Sequence, residues 1–157
     1  GKSIASPPQL LLAGDQPTDA DPNGPFILLC IVALLTIAGL SVPRLRILGK
    51  VMASILLGVT GLLGVIILIM WFATDHQGCA NNFNLLWCLP TNLVLLFAKP
   101  KGKGKYALIA MLLLIISIIL HIMKVQGLPL FELSPLFLAL LFVYGMIYRK
   151  SRILINN

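Results

Sequence analysis

Apolar residues come in five runs, and the segments between them are short and sorted by charge. The runs cover residues 26–42, 51–73, 85–98, 106–123 and 136–148, the last entered as early as Leu130. A hydrocarbon core takes about 17–25 apolar residues of α-helix to cross, so runs of this kind predict transmembrane helices. The first sits near the lower limit and stops at Pro43. The second ends in Trp71 and Phe72, the amphipathic rings that mark a membrane–water interface. The third is short and carries Pro90. Within the second, Ser54, Gly58, Gly61 and Gly64 recur every three or four positions, a stripe of small residues on which another helix can lie closely. A packing face inside the bundle accounts for it better than a homodimer contact. No repeat of 20–50 residues is evident.

Composition agrees with a membrane protein. The 157 residues are 59% hydrophobic and 11% charged, with a mean hydropathy of +0.98. A soluble domain would carry about a quarter charged residues. The +7 net charge does not indicate nucleic acid, because the basic residues sit in short segments beside apolar runs, where they set topology. If all five runs cross, Arg44, Arg46 and Lys50, the lysines at 99, 101, 103 and 105, and Arg149, Lys150 and Arg152 lie together. That puts ten of the twelve basic residues on one side and leaves Lys2 and Lys124 on the other. If the third run turns back, everything after it inverts and the asymmetry collapses. The positive-inside bias selects five crossings, with the N-terminus periplasmic and the C-terminus cytoplasmic. The expected fold is thus an all-α bundle of five transmembrane helices in a bacterial inner membrane. Residues 1–24 form a periplasmic Pro- and Asp-rich linker, residues 25–150 the bundle, and residues 151–157 a cytoplasmic tail. The linker-like start, and Gly rather than Met at residue 1, suggest the membrane-embedded part of a longer protein.

Polar candidates gather at the outer face. Asp75, His76, Gln77, Asn81, Asn82 and Asn84 fall between the second and third runs. Asn84, Cys88, Thr91 and Asn92 are expected to share one face of the third helix, because spacings of three and four stack. Trp87 marks the interface, His121 lies near the outer end of the fourth run, and Glu132 precedes the fifth. Polar groups at membrane depth need partners inside the bundle, so the third helix is expected to be central. Asp75 beside His76 has the composition of a general-base pair, since a carboxylate can set an imidazole's tautomer and raise its basicity. The structural alternative is a loop in which Thr74 or Asp75 caps a short segment. Cys79, three residues after His76, invites a thiol–imidazole reading but has no oxyanion partner in view. Cys30 and Cys88 read as small apolar fillers. The two histidines lack the spacing of metal or haem ligands, so no cofactor or metal is expected. Gly102 and Gly104 alternate with lysines in what reads as a solvated cytoplasmic turn or a contact with anionic lipid. A channel or transporter is disfavoured, because no ionisable residue lies at mid-membrane depth.

The run Trp71-Phe72-Ala73-Thr74-Asp75-His76, then Asn81-Asn82-Phe83-Asn84-Leu85-Leu86-Trp87, then Pro90, resembles a known pattern. It is similar to the five-helix membrane domain at the C-terminal end of the Lnb-like proteins of Bacteroidota, which are lipoprotein N-acyltransferases and their relatives. The resemblance covers roughly residues 25–150 and is specific in the Thr-Asp-His and Asn-x-Asn-Leu-Leu-Trp elements. It implies a thiol nucleophile and its histidine in a periplasmic domain upstream of the helices, so none of Cys30, Cys79 and Cys88 takes that role. The chain would then anchor that domain and hold a binding or structural polar cluster of Asp75, His76, Asn81, Asn84, Trp87, Asn92 and His121. Its partners would be membrane lipids and a periplasmic domain or envelope protein. The other reading is a non-catalytic multi-pass subunit of an envelope complex, with the same cluster as its docking surface.

Overall fold

A computed structural model describes residues 23–73, 82–98 and 100–156. Every regular element among them is helical. Helix α1 is Gly24–Ser41, α2 is Arg46–Phe72, α3 is Asn92–Phe97, α4 is Pro100–Ile122 and α5 is Leu130–Asn156, with single 3₁₀ turns at Pro43–Leu45 and Phe83–Leu86. Four helical stretches are long and apolar enough to cross a membrane: Gly24–Ser41, Pro43–Phe72, Gly102–Ile122 and Leu130–Leu154. Their outward faces carry large exposed apolar side chains such as Leu34, Ile47, Ile69 and Leu138. That is what a bundle solvated by lipid tails presents, since no water has to be excluded there.

The third apolar run departs from expectation. It is not one helix but a 3₁₀ turn, a bend through residues 87–91 and the six-residue α3. Pro90 is the cause. It has no N–H to give the carbonyl of Leu86, and its ring disfavours helical geometry at Leu89. Backbone bonding accordingly ends with Cys88 N–H to Asn84 O at 2.9 Å, and resumes with Asn92 N–H to Leu89 O at 2.9 Å. The broken segment lies antiparallel on the small-residue stripe of α2, with Gly64 against Cys88, Gly61 against Leu93 and Gly58 facing Leu96. The stripe is therefore a packing face inside the bundle. A Cβ at Gly64 would overlap the carbonyl oxygen of Cys88, and one at Gly61 would come within 2.8 Å of Leu93 Cγ. Glycine is required at Gly64 because backbone meets backbone.

Around this insertion, α4 packs along α5, α5 on α1 and α1 on α2, while α2 and α5 barely touch. Gly39 and Gly49 let α1 and α2 meet at the turn between them, each occupying the space a Cβ on the other would need. At the opposite end Phe26 stacks on Phe131, ring centroids 4.7 Å apart, joining the starts of α1 and α5. That second end also carries the α4–α5 connection and the 3₁₀ turn at Phe83. The first carries Arg44, Arg46, Lys50, Lys103, Arg149 and Lys150, so the charge sorting seen along the chain is a sorting between the two ends of the bundle.

Two further segments are more ordered than their composition suggests. The lysine- and glycine-rich stretch after residue 99 is the first turns of α4, not a turn outside it. Pro100 is tolerated as its first residue, and Gly104 allows the close approach of Ser151 on α5. Helix α5 begins at Leu130 and continues through Arg149, Lys150 and Arg152 to Asn156. Pro135 lies inside it and cannot bond the carbonyl of Phe131. Ser134 Oγ donates to that carbonyl instead, at 2.7 Å. Helix α4 ends in a Schellman motif, with Val125 N–H to Leu120 O at 3.0 Å and Lys124 N–H to His121 O at 2.9 Å. Lys124 holds the left-handed position at φ 58°, where glycine is usual.

Candidate functional site

The broken segment carries two polar constellations, one at each end of its bend. The first lies beside the α4–α5 connection. Asn82 accepts through Oδ1 from Asn84 N–H at 3.0 Å and from Gln126 Nε2 at 3.2 Å. Gln126 Oε1 accepts from Phe83 N–H at 2.7 Å. One glutamine amide thus grips two consecutive residues at the start of the segment and joins it to the connection forty-odd positions away. Asn84 Oδ1 accepts from the indole Nε1–H of Trp87 at 3.0 Å. The buried Trp87 ring meets Phe137 of α5 edge to face, centroids 5.3 Å apart. His121 stands apart from these bonds. Its Nδ1 accepts from Leu128 N–H at 2.9 Å, which braces the connection from the α4 side.

The second constellation is at the centre of the bundle. Asn92, the first residue of α3, has no exposed surface. Its Oδ1 accepts from Tyr106 Oη of α4 at 2.8 Å and from Tyr144 Oη of α5 at 2.9 Å, and its Nδ2 donates to Thr60 Oγ1 of α2 at 3.1 Å. Thr60 passes its own proton to Leu56 O at 2.8 Å, and the Tyr106 and Thr91 hydroxyls are 3.0 Å apart. Donors and acceptors match throughout, and no buried side-chain nitrogen or oxygen among the described residues lacks a partner. One carboxamide therefore links four helices where no water competes. A fully satisfied network of this kind rigidifies and specifies a single packing.

Of the residues expected to form one cluster, Asn84 and Trp87 are bonded to each other and Asn92 is in the central hub. His121 is at the end shared with Asn84 but bonded elsewhere. Asp75, His76 and Asn81, like Cys79, lie outside the described residues. The shared helix face proposed for Asn84, Cys88, Thr91 and Asn92 does not exist, because the bend at Pro90 separates the first two from the last two. Cys30 and Cys88 are free thiols, half-buried and buried respectively. Among the described residues no three His, Cys, Asp or Glu side chains come together as metal ligands. Tyr106, Tyr144, Thr60 and Gln126 were not legible as site residues from sequence. The available signal was weak: Thr60 and Tyr144 are polar positions within long apolar runs, and such positions must find partners inside the bundle.

No curated protein and no solved structure matches the chain. Residues 20–152, which include α1 to α4 and all but the last turn of α5, nevertheless match the family model of the Lnb transmembrane domain, and the chain belongs to that family.

Proposed function

We propose that this chain is the membrane domain of a lipoprotein N-acyltransferase of the inner membrane. It crosses five times, with the broken segment as the third crossing, its N-terminus periplasmic and its C-terminus cytoplasmic. Its task is to hold a periplasmic thiol-dependent catalytic domain at the outer leaflet and to present lipid to it. The observation that carries this reading is the gripped start of the broken segment. A tether needs only apolar helices, whereas here Asn82, Asn84, Trp87 and Gln126 fix a 3₁₀ turn, and with it the bend that follows, beside the α4–α5 connection. Non-helical backbone at membrane depth is kept only where protein or a cavity surrounds it, and it commonly marks a working site. A short segment also draws the bilayer surface inward, which brings a lipid ester towards a nucleophile above it. Trp71, at the end of α2, supplies an interfacial aromatic group of the kind among which lipid glycerol regions lie, while the buried Trp87 holds the segment in place. His76 and Asn84 are the residues proposed to meet that lipid.

The test uses the full-length protein in cells, with lipoprotein N-acylation read as the mass difference between diacylated and triacylated lipoprotein. Replacing His76 and Asn84 by alanine together, or releasing the grip with Gln126→Ala, is expected to lower acylation while the protein stays in the membrane. Unchanged acylation after all five crossings are exchanged for an unrelated multi-pass anchor would reduce the domain to a tether.

A further inference from the structure

The bundle is incompletely filled at its basic end. Helix α3 has six residues and stops at Phe97, so it separates α2 from α5 only down to Leu95 and Leu96. Below that a cavity of about 580 Å³ remains, walled by α2, α3, α4 and α5 with Leu40 of α1. Ligand sites run to about 300–1,000 Å³. Its inner wall is apolar and well packed, with Leu57, Leu95 and Val143 each no more than 5% exposed. Its mouth is cationic. Arg46 and Lys50 from the start of α2, Lys103 from the start of α4, and Arg149 and Lys150 from the end of α5 all line it, and no acidic residue among those described does. Glu132, the only acidic residue among those described, is in the first turn of α5, at the far end of the bundle.

Five like charges brought to one mouth from three helices repel one another unless an anion joins them. Charged residues placed only to orient a membrane protein need not converge on a cavity, because the orienting bias counts them anywhere in the flanking segments. Here the cations lie near the ends of the spanning helices and the apolar wall lies behind them, towards the interior of the bundle. We infer that this cavity binds an anionic phospholipid from the leaflet on the basic side, its phosphate held among Arg46, Lys50, Lys103, Arg149 and Lys150 and an acyl chain entering against Leu57, Leu95 and Val143. Arginine and lysine recognise phosphate by charge-assisted hydrogen bonds, and basic pockets between transmembrane helices are suited to anionic headgroups. The site is at the opposite end of the bundle from the proposed acylation chemistry and stands or falls independently of it.

The test uses the whole chain, purified in detergent and reconstituted in nanodiscs of phosphatidylcholine with or without phosphatidylglycerol. Retained lipid is read by native mass spectrometry and stabilisation by thermal unfolding. The expected result is retention of phosphatidylglycerol at about one per chain and a higher unfolding temperature in its presence, neither produced by phosphatidylcholine. Lys50→Gln, Lys103→Gln and Arg149→Gln together should lower phosphatidylglycerol retention at least about tenfold. Lys105→Gln with Lys124→Gln, which removes cations that do not line the cavity, should not. Ala53→Trp fills the cavity and keeps every charge, so it should abolish retention as well. Retention that survives Ala53→Trp would show adsorption to a charged surface and overturn the site. Equal stabilisation by millimolar inorganic phosphate, undiminished by added phosphatidylglycerol, would assign the cations to a soluble anion and overturn the lipid.

Discussion

Removing the central carboxamide should cost more stability than any single bond it makes. Asn92→Ala deletes hydrogen bonds to Thr60, Tyr106 and Tyr144. Thr60 keeps Leu56 O and Tyr106 keeps Thr91, but among the described residues no other hydrogen bond remains to the hydroxyl of Tyr144, a residue only 1% exposed. Interhelical side-chain bonds in membrane proteins average about 0.6 kcal/mol and reach about 1.7. Three at the average are worth about 2 kcal/mol, and the void left by the carboxamide adds about 1. The expected loss is therefore about 3 kcal/mol. Tyr144→Phe removes one bond and leaves Asn92 Oδ1 with Tyr106, so it should cost about 0.6–1.7 kcal/mol. The double variant should cost less than the sum of the singles by at least about 0.5 kcal/mol, because Tyr144→Phe also removes the hydroxyl that Asn92→Ala orphans. Reversible unfolding in mixed micelles by increasing sodium dodecyl sulfate, followed by the fluorescence of buried Trp87 in a Trp71→Phe background, measures all three. A loss under about 0.5 kcal/mol for Asn92→Ala, or singles that add to the double within about 0.3, would refute the hub.

Two further substitutions test backbone packing in the same assay. Gly64→Ala drives a Cβ into the carbonyl of Cys88 and should displace the broken segment, costing at least about 2 kcal/mol, whereas Gly102→Ala meets nothing within 4 Å and should gain about 0.5–1 kcal/mol of helix propensity. An unaffected Gly64→Ala protein would mean that α2 and the segment do not touch there. Lys124→Gly relieves a left-handed lysine at the Schellman position and should stabilise by about 1 kcal/mol, and a loss instead would show that the lysine side chain, not the backbone, matters at that cap.

What was legible from sequence follows from what the bilayer demands of any chain. Length and hydropathy located α1, α2, α4 and α5, because an apolar run of spanning length has helix as its hydrogen-bonded solution in lipid, although α4 begins at Pro100 and α5 runs on to Asn156, beyond the apolar runs. The sorting of basic residues foretold which termini of these elements share an end, and the spacing of Ser54, Gly58, Gly61 and Gly64 foretold a packing face. Pro90 was a sufficient reason to doubt a continuous third helix. Local sequence did not say where bonding would resume, since the bend is held by Gln126, forty-odd residues away. Nor could it pair Asn92 with Thr60, Tyr106 and Tyr144, which come from three other helices. In a soluble bundle the apolar stripe of each helix reveals the face turned inward. Here lipid-facing and buried positions are alike apolar, as Leu34 and Leu114 show, one 68% exposed and the other not at all. Helix rotation and register, and with them the hub and the basic cavity, were decided only by the tertiary packing of glycine faces and the matching of a few buried hydroxyls to one amide.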